Sequence, residues 1–188
     1  MSSFRTTPYT LEVHDIMHRA GQMRERTVTL PVHERMGEGL VSVPAGSTID
    51  ADVRLEALHE GILVSADLQA TATGVCGRCL IDIEVPLQVD FQEVFAYSSD
   101  EAFDYEVHDD HVDLEPPIRD AVVLALPFQP VCRPDCPGLD PETGERLADH
   151  PEIRPRETVD PRWSALTGFQ ASEDDNAGTA GAAETEES

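Results

Sequence analysis

The chain has 188 residues, enough for one sizeable hydrophobic core and too few for two large domains. Its 37 acidic residues stand against 13 basic ones, all of them Arg, for a formal net charge of −24. Such a balance disfavours a broad basic face laid against RNA or DNA, and no apolar run approaches the roughly 20 residues that cross a bilayer. If nucleic acid is involved, contact is local or passes through a protein partner. Acid-rich, Arg-only usage equally fits genome composition or a salty cytoplasm. The opening MSSFRTTPYTLEV lacks a basic region followed by an apolar core, so a cytoplasmic protein with reduced thiols is expected.

Residues 1–8 read as a flexible N-terminus. Tyr9 to Val13 fits a short edge strand, and Asp15 to Ala20 fits one helical turn stopped by Gly21. Val28, Leu30 and Val32 alternate with Thr27, Thr29 and Pro31, the pattern of a strand. His14, His18 and His33 lie in this region without a second donor type that would make them ligands.

The middle of the chain carries period two over three segments. Ile49, Ala51, Val53, Leu55 and Ala57 alternate with charged residues. Ile62 to Ala70 repeats the pattern after His59-Glu60-Gly61, where the glycine offers a positive φ for a tight turn. Ile81 to Phe91 repeats it again. An antiparallel meander with one wet face follows, extended by Leu40 to Val43 and Val94 to Tyr97. Pro86 has no N–H to give a ladder, so it belongs on an edge or at a bulge. Between the second and third segments sits Cys76-Gly-Arg-Cys79, two thiols on a bend, with Gly77 letting both sulfurs point the same way.

Ser98 to Glu115 is rich in acids, holds His108 and His111, and contains no Arg. It reads as a solvated loop, without the glycine punctuation of a calcium site. Pro116-Pro117 then opens a helix whose residues Ile118, Ala121, Val122, Ala125 and Leu126 form one apolar stripe before Pro127 stops it. Arg119 and Asp120 fall on the opposite, solvated face. Beyond it lie Cys132 and Cys136, three residues between them, then linked turns to Gly144. A short closing helix is expected at Arg162 to Leu166, anchored by Trp163. The stretch 167–188 is too poor in apolar residues to fold. The expected architecture is α+β: a curved antiparallel β-meander, one principal helix packed on it, and Cys-bearing turns at one end, all within 9–166.

Cys76, Cys79, Cys132 and Cys136 are all the cysteines of the chain. Their spacings suit two halves of a structural zinc site, which would staple the hairpin to the segment leaving the helix. A redox pair is a second reading, since Arg78 favours a thiolate, although this CxxC does not open a helix as thioredoxin-type pairs do. The third is four thiols that are simply buried. No phosphate loop, nucleophile elbow or metalloprotease helix is present, so no catalytic residue is nominated.

The order Cys76-x-x-Cys79-Leu80, then Val112-Asp113-Leu114, the helix Ile118 to Leu126, and Cys132-Arg-Pro-Asp-Cys136-Pro-Gly-Leu139 resembles the YceD family, described as large ribosomal RNA subunit accumulation proteins. Asp160-Pro161-Arg162-Trp163 with Leu166 is similar to that family's closing segment, so the resemblance spans Tyr9 to Leu166. It implies a non-enzymatic factor in the synthesis, processing or stability of 23S rRNA, with large-subunit rRNA or its assembly proteins as partners. Many members carry a further Cys-x-x-Cys-Gly after Gly-Leu. Here Asp140 and Thr143 occupy those positions before Gly144. If the family's metal sits wholly within the post-helix cluster, this chain has lost half its ligands. If the hairpin pair shares one ion with Cys132 and Cys136, the site survives. Asp140 would be a poor oxygen substitute in a sulfur site. A zinc-binding adaptor unrelated to ribosomes and a thiol redox protein are the remaining functional readings.

Overall fold

The structure is a computed structural model that describes residues 6–98, 103–152 and 162. In chain order it contains β1 (Thr10–Glu12), β2 (Met23–Pro31), β3 (Val41–Ser42), β4 (Thr48–Ala57), β5 (Gly61–Val75), β6 (Asp82–Ala96), β7 (Tyr105–Glu106), β8 (His111–Asp113) and α1 (Glu115–Ala125). The main sheet has the order β2-β4-β5-β6-β7, with β3 paired to the far end of β5. Every pairing is antiparallel except that of β6 with β7. The sheet is open.

Alternation places the side chains. Ile49, Ala51, Val53, Leu55 and Ala57 of β4 and Ile62, Val64, Ala66 and Leu68 of β5 are buried on one face. That face packs against Ile118 and Val122 of α1, and against Tyr9, Val13, Val112 and Leu114 around β1 and β8. The opposite face is polar: the Thr27 hydroxyl donates to Asp52 at 2.6 Å, Thr29 donates to Asp50 at 2.8 Å, and Gln92 donates to Ser65 at 2.9 Å. The result is an α+β fold of a mainly antiparallel sheet with one helix upon it. Among the described residues, no helix is long and apolar enough to cross a membrane.

Several local expectations change. β5 continues past Ala70 to Val75, because Thr71, Ala72 and Thr73 keep register with Pro86, Val85 and Glu84 although small residues blur the polarity contrast. Pro86 sits on β6, whose outer edge over 82–94 has no strand partner among the described residues, the placement a residue without an N–H requires. Gly61 does not adopt positive φ; a Cβ there would collide with the Phe95 carbonyl, so the glycine serves close strand approach. Residues 14–18 form a turn instead of helix, closed by Met17 N–H donating to Val13 O at 3.0 Å. Tyr9 to Val13 does contain a strand, but β1 pairs with β8 in a separate two-stranded ribbon. The acidic stretch therefore holds two short strands, β7 and β8. The helical stripe ends early: Ile118 and Val122 are buried, while Ala125 is exposed.

The chain divides into a compact unit ending at Pro151 and a second from Glu152 to Ser188, of which only Glu152 and Arg162 are described. The expected closing helix with Trp163 and the tail 167–188 lie outside the described residues, apart from Arg162.

Candidate metal centre

β5 and β6 run as a 15-residue ladder from the core to a tip that holds two cysteines. Cys76 N–H donates to Ile81 O at 2.8 Å and Leu80 N–H to Cys76 O at 3.0 Å, closing a turn in which Leu80 takes φ of 58°. The left-handed residue is thus Leu80 and not Gly77. Gly77 is needed for room: its N–H donates to Pro130 O at 2.7 Å, and a Cβ would lie 3.2 Å from the Leu40 side chain and 3.4 Å from Pro130 O.

The segment leaving α1 meets this tip. Cys132 N–H points at Cys76 Sγ at 3.4 Å, and Arg78 N–H approaches the same sulfur at 3.4 Å. The Arg78 guanidinium reaches across to donate to Pro134 O at 3.3 Å and Cys136 O at 3.1 Å, strapping the second loop to the first. Gly138, at φ of 84°, lets the chain pass the Arg78 carbonyl, from which a Cβ would stand only 3.3 Å. These backbone partners bring together residues far apart in sequence.

All four sulfurs lie within 4.8 Å of one another. Cys76 Sγ is 3.9 Å from Cys136 Sγ, and Cys79 Sγ is 3.7 Å from Cys132 Sγ. No disulfide joins them. A tetrahedral ion with bonds of about 2.3 Å to sulfur would set its ligands about 3.8 Å apart, so the donor set and its spacing fit one metal ion of that type. Cys76, Cys79 and Cys136 are buried, with Ile81 and Ile83 packed around them, and form an apolar cluster separate from the main core. Cys132 closes the exposed side.

The thiols differ in acidity. Burial pushes Cys76 up, but the backbone N–H groups of Cys79, Arg78 and Cys132, with the Cys79 thiol, outweigh it and hold Cys76 down at about 6. Cys132 is pushed up to about 12, by desolvation of its sulfur among the other three and by hydrogen bonding to Cys136, Cys79 and Cys76. Cys79 is also raised: the Ile81 N–H favours its thiolate, while burial and the neighbouring thiols prevail against it. Cys76, whose thiolate is favoured, is fully buried, and the exposed Cys132 is held in its thiol form. That arrangement opposes thiol exchange, which needs an exposed thiolate, and suits a cluster whose first anionic ligand is already in place.

Asp140 and Thr143 stand apart from this set. The Asp140 carboxylate accepts from Glu142 N–H at 3.1 Å and from the Thr143 hydroxyl at 3.2 Å, closing its own turn. Among the described residues, the four cysteines form the one group of three or more potential ligands close enough to share an ion. His14 instead meets Asp110 at 3.0 Å on the surface. The sequence gives no warning of Leu40 or Pro130, whose contributions to the site include main-chain carbonyls that carry no side-chain signature.

The profile of the family described as "Large ribosomal RNA subunit accumulation protein YceD" matches residues 64–170. Over 176 residues the chain is 40% identical to an uncharacterized protein of Mycobacterium tuberculosis, covering 90% of this chain and 84% of that one. An uncharacterized protein of Mycobacterium leprae is 34% identical over 88% of this chain and 79% of its own. The protein YlbN of Bacillus subtilis is 28% identical over 54% of this chain and 62% of its own. No solved structure matches.

Proposed function

This chain belongs to the YceD family of large ribosomal RNA subunit accumulation proteins, and from that premise we propose that it is a non-enzymatic assembly factor supporting the synthesis, processing or stability of 23S rRNA in the cytoplasm. The observation that carries this reading is the family match itself, which encloses both cysteine pairs and α1. The net charge of −24 favours action through assembly proteins over direct coating of RNA.

We further propose that Cys76, Cys79, Cys132 and Cys136 bind one zinc ion as a structural staple. Four thiolates select zinc over harder divalent ions, and a closed set of four leaves no open position for chemistry. When bound, the ion would fix the hairpin tip to the post-helix turn. The spacing of the four sulfurs favours sharing of one ion by the two pairs, despite Asp140 and Thr143 at the positions where many family members have cysteines.

Depletion of the protein in its own cells tests the function: the ratio of mature 23S to 16S rRNA should fall, with precursor large subunits accumulating. A normal ratio after complete depletion overturns it. Metal analysis of protein purified without added zinc should give about one zinc per chain, and a ratio near zero removes the staple.

A further inference from the structure

The two edges of the main sheet are not alike. On β2, Arg24 and Arg26 stand on the core side opposite Leu55 and Val53, and the Arg24 guanidinium donates to Asp15 at 2.5 Å and to the Glu12 carbonyl. Inward-pointing charge of that kind guards an edge against a further strand. Over the middle of β6 the core-side residues are Val85, Leu87, Val89 and Phe91, all apolar. Only Leu87 among them is buried, whereas the matching row of β4 is sealed, so the apolar layer stops unfinished at β6.

The backbone of β6 is open along the same stretch. β7 takes its outer side at Phe95 and Ala96 and no further. Val107 N–H donates to Ala96 O at 2.9 Å on that side, while Tyr97 N–H donates to Glu60 O at 2.9 Å on the side of β5. Period two then aims the N–H and C=O of Glu84, Gln88, Asp90 and Gln92 outward, with the C=O alone of Pro86. Among the described residues these groups have no strand partner.

We propose that this edge accepts an added strand from a basic large-subunit protein, an extended segment with apolar residues toward the core side and Arg or Lys toward the outer face. This docking rests on the family reading above. Two features select the occupant. An open ladder takes a polypeptide backbone, which RNA does not have. Charge then selects cations: β5 and β6 hold Asp67, Asp82, Glu84, Asp90 and Glu93 and no basic residue. Asp52, Asp67 and Asp90 stand directly opposite one another across three strands of the outer face, like charges whose opposition costs stability. Arg54, the one basic residue on that face of β2, β4, β5 and β6, is held by Glu25 at 3.2 Å. Asp82, at the tip, shares a pocket with Arg146, so the selecting acids are Asp67, Glu84 and Asp90, which enter no ion pair among the described residues. A depression of about 450 Å³ lined by Asp67, Gln69, Gln88 and Asp90 gives a long cationic side chain room to reach them. A second copy of the chain would set the same acids against themselves.

The test uses the full chain with a benzophenone amino acid in place of Gln88, mixed with RNA-free protein extracted from large subunits and, separately, with protein-free 23S rRNA. Irradiation should attach a basic large-subunit protein through a segment in which apolar residues alternate with Arg or Lys, identified by mass spectrometry. In a pull-down of that protein, Glu84→Lys and Asp90→Lys should each weaken capture about tenfold. Asp90→Lys also relieves the opposition to Asp67, so its melting temperature should hold or rise while binding falls, which separates docking from folding. Absence of any attachment, attachment of rRNA, of a second copy or of another part of the same chain, attachment through a segment without the alternation, or capture unmoved by both substitutions overturns the proposal. In depleted cells the doubly substituted chain should fail to restore 23S rRNA where the wild-type chain succeeds, and full rescue by it overturns the edge while leaving the family reading intact. A normal 23S level without the protein strikes the family reading, and the crosslink then decides the edge alone.

Discussion

The four thiols occupy one cluster but are unequal, and that inequality makes the site testable residue by residue. At neutral pH Cys76 is already ionised, whereas Cys79 and Cys132 still hold their protons. Zinc added to the metal-free chain should therefore release roughly two or more protons per ion, as read by a pH indicator in weak buffer. Release of none would mean that the raised thiols are not ligands. In the metal-free protein the same shifts set opposite slopes. Cys76, lowered to about 6 from an ordinary 9.0, adds stability that is complete above pH 9 and is lost as pH falls through 6. Cys132, raised to about 12, adds stability that is complete below pH 9 and is lost as pH rises through 12. The thiol contribution should peak near pH 9 in denaturant melts, and a profile flat between pH 6 and 9 contradicts this. The cysteine spacings were legible in the sequence because each half-site is local. Arg78 was legible only as a charge; its strap to Pro134 O and Cys136 O appears once the second loop is in place.

Among the elements, α1 shows how far periodicity reaches. The stripe begins where the pattern places it, with Ile118 and Val122 sealed against the sheet, but the last turn runs clear and leaves Ala125 exposed. Ile118→Ala should cost about 2–4 kcal/mol in chemical denaturation, because it empties a fully buried site. Leu124→Ala, on a residue 85% exposed, should stay within about 0.5 kcal/mol. Equal costs would show that the helix is not seated on this face. In the hairpin, the bend at Cys76 and nearly the whole of β6 were legible, but β5 was legible only to Ala70, since Ala72 and the flanking threonines give too little contrast for a period-two signal. β1 and β8 were harder still: three-residue strands carry almost no pattern, and their pairing joins positions about a hundred residues apart.

For the whole molecule, the separation of two clusters matters most. The main core lies between the sheet and α1, and the cysteine cluster is a satellite at the far end of the β5–β6 hairpin. Chelation of the proposed zinc should therefore loosen the clasp without melting the sheet. Hydrogen exchange after chelation should accelerate at residues 76–80 and 130–138, while the amides of Val53, Leu55 and Val64 stay protected. Loss of protection throughout would mean that the ion holds the entire domain. The sequence by itself determined the types of β2, β4, β5, β6 and α1, the polar outer face and the two thiol pairs, because alternation and short spacing are properties of neighbouring residues. Only the tertiary structure decided that the pairs converge, that Asp140 closes its own turn, and that Phe128 faces outward. Those outcomes depend on a register carried along fifteen paired residues and on carbonyl partners such as Pro130 O, and a carbonyl is the same in every residue.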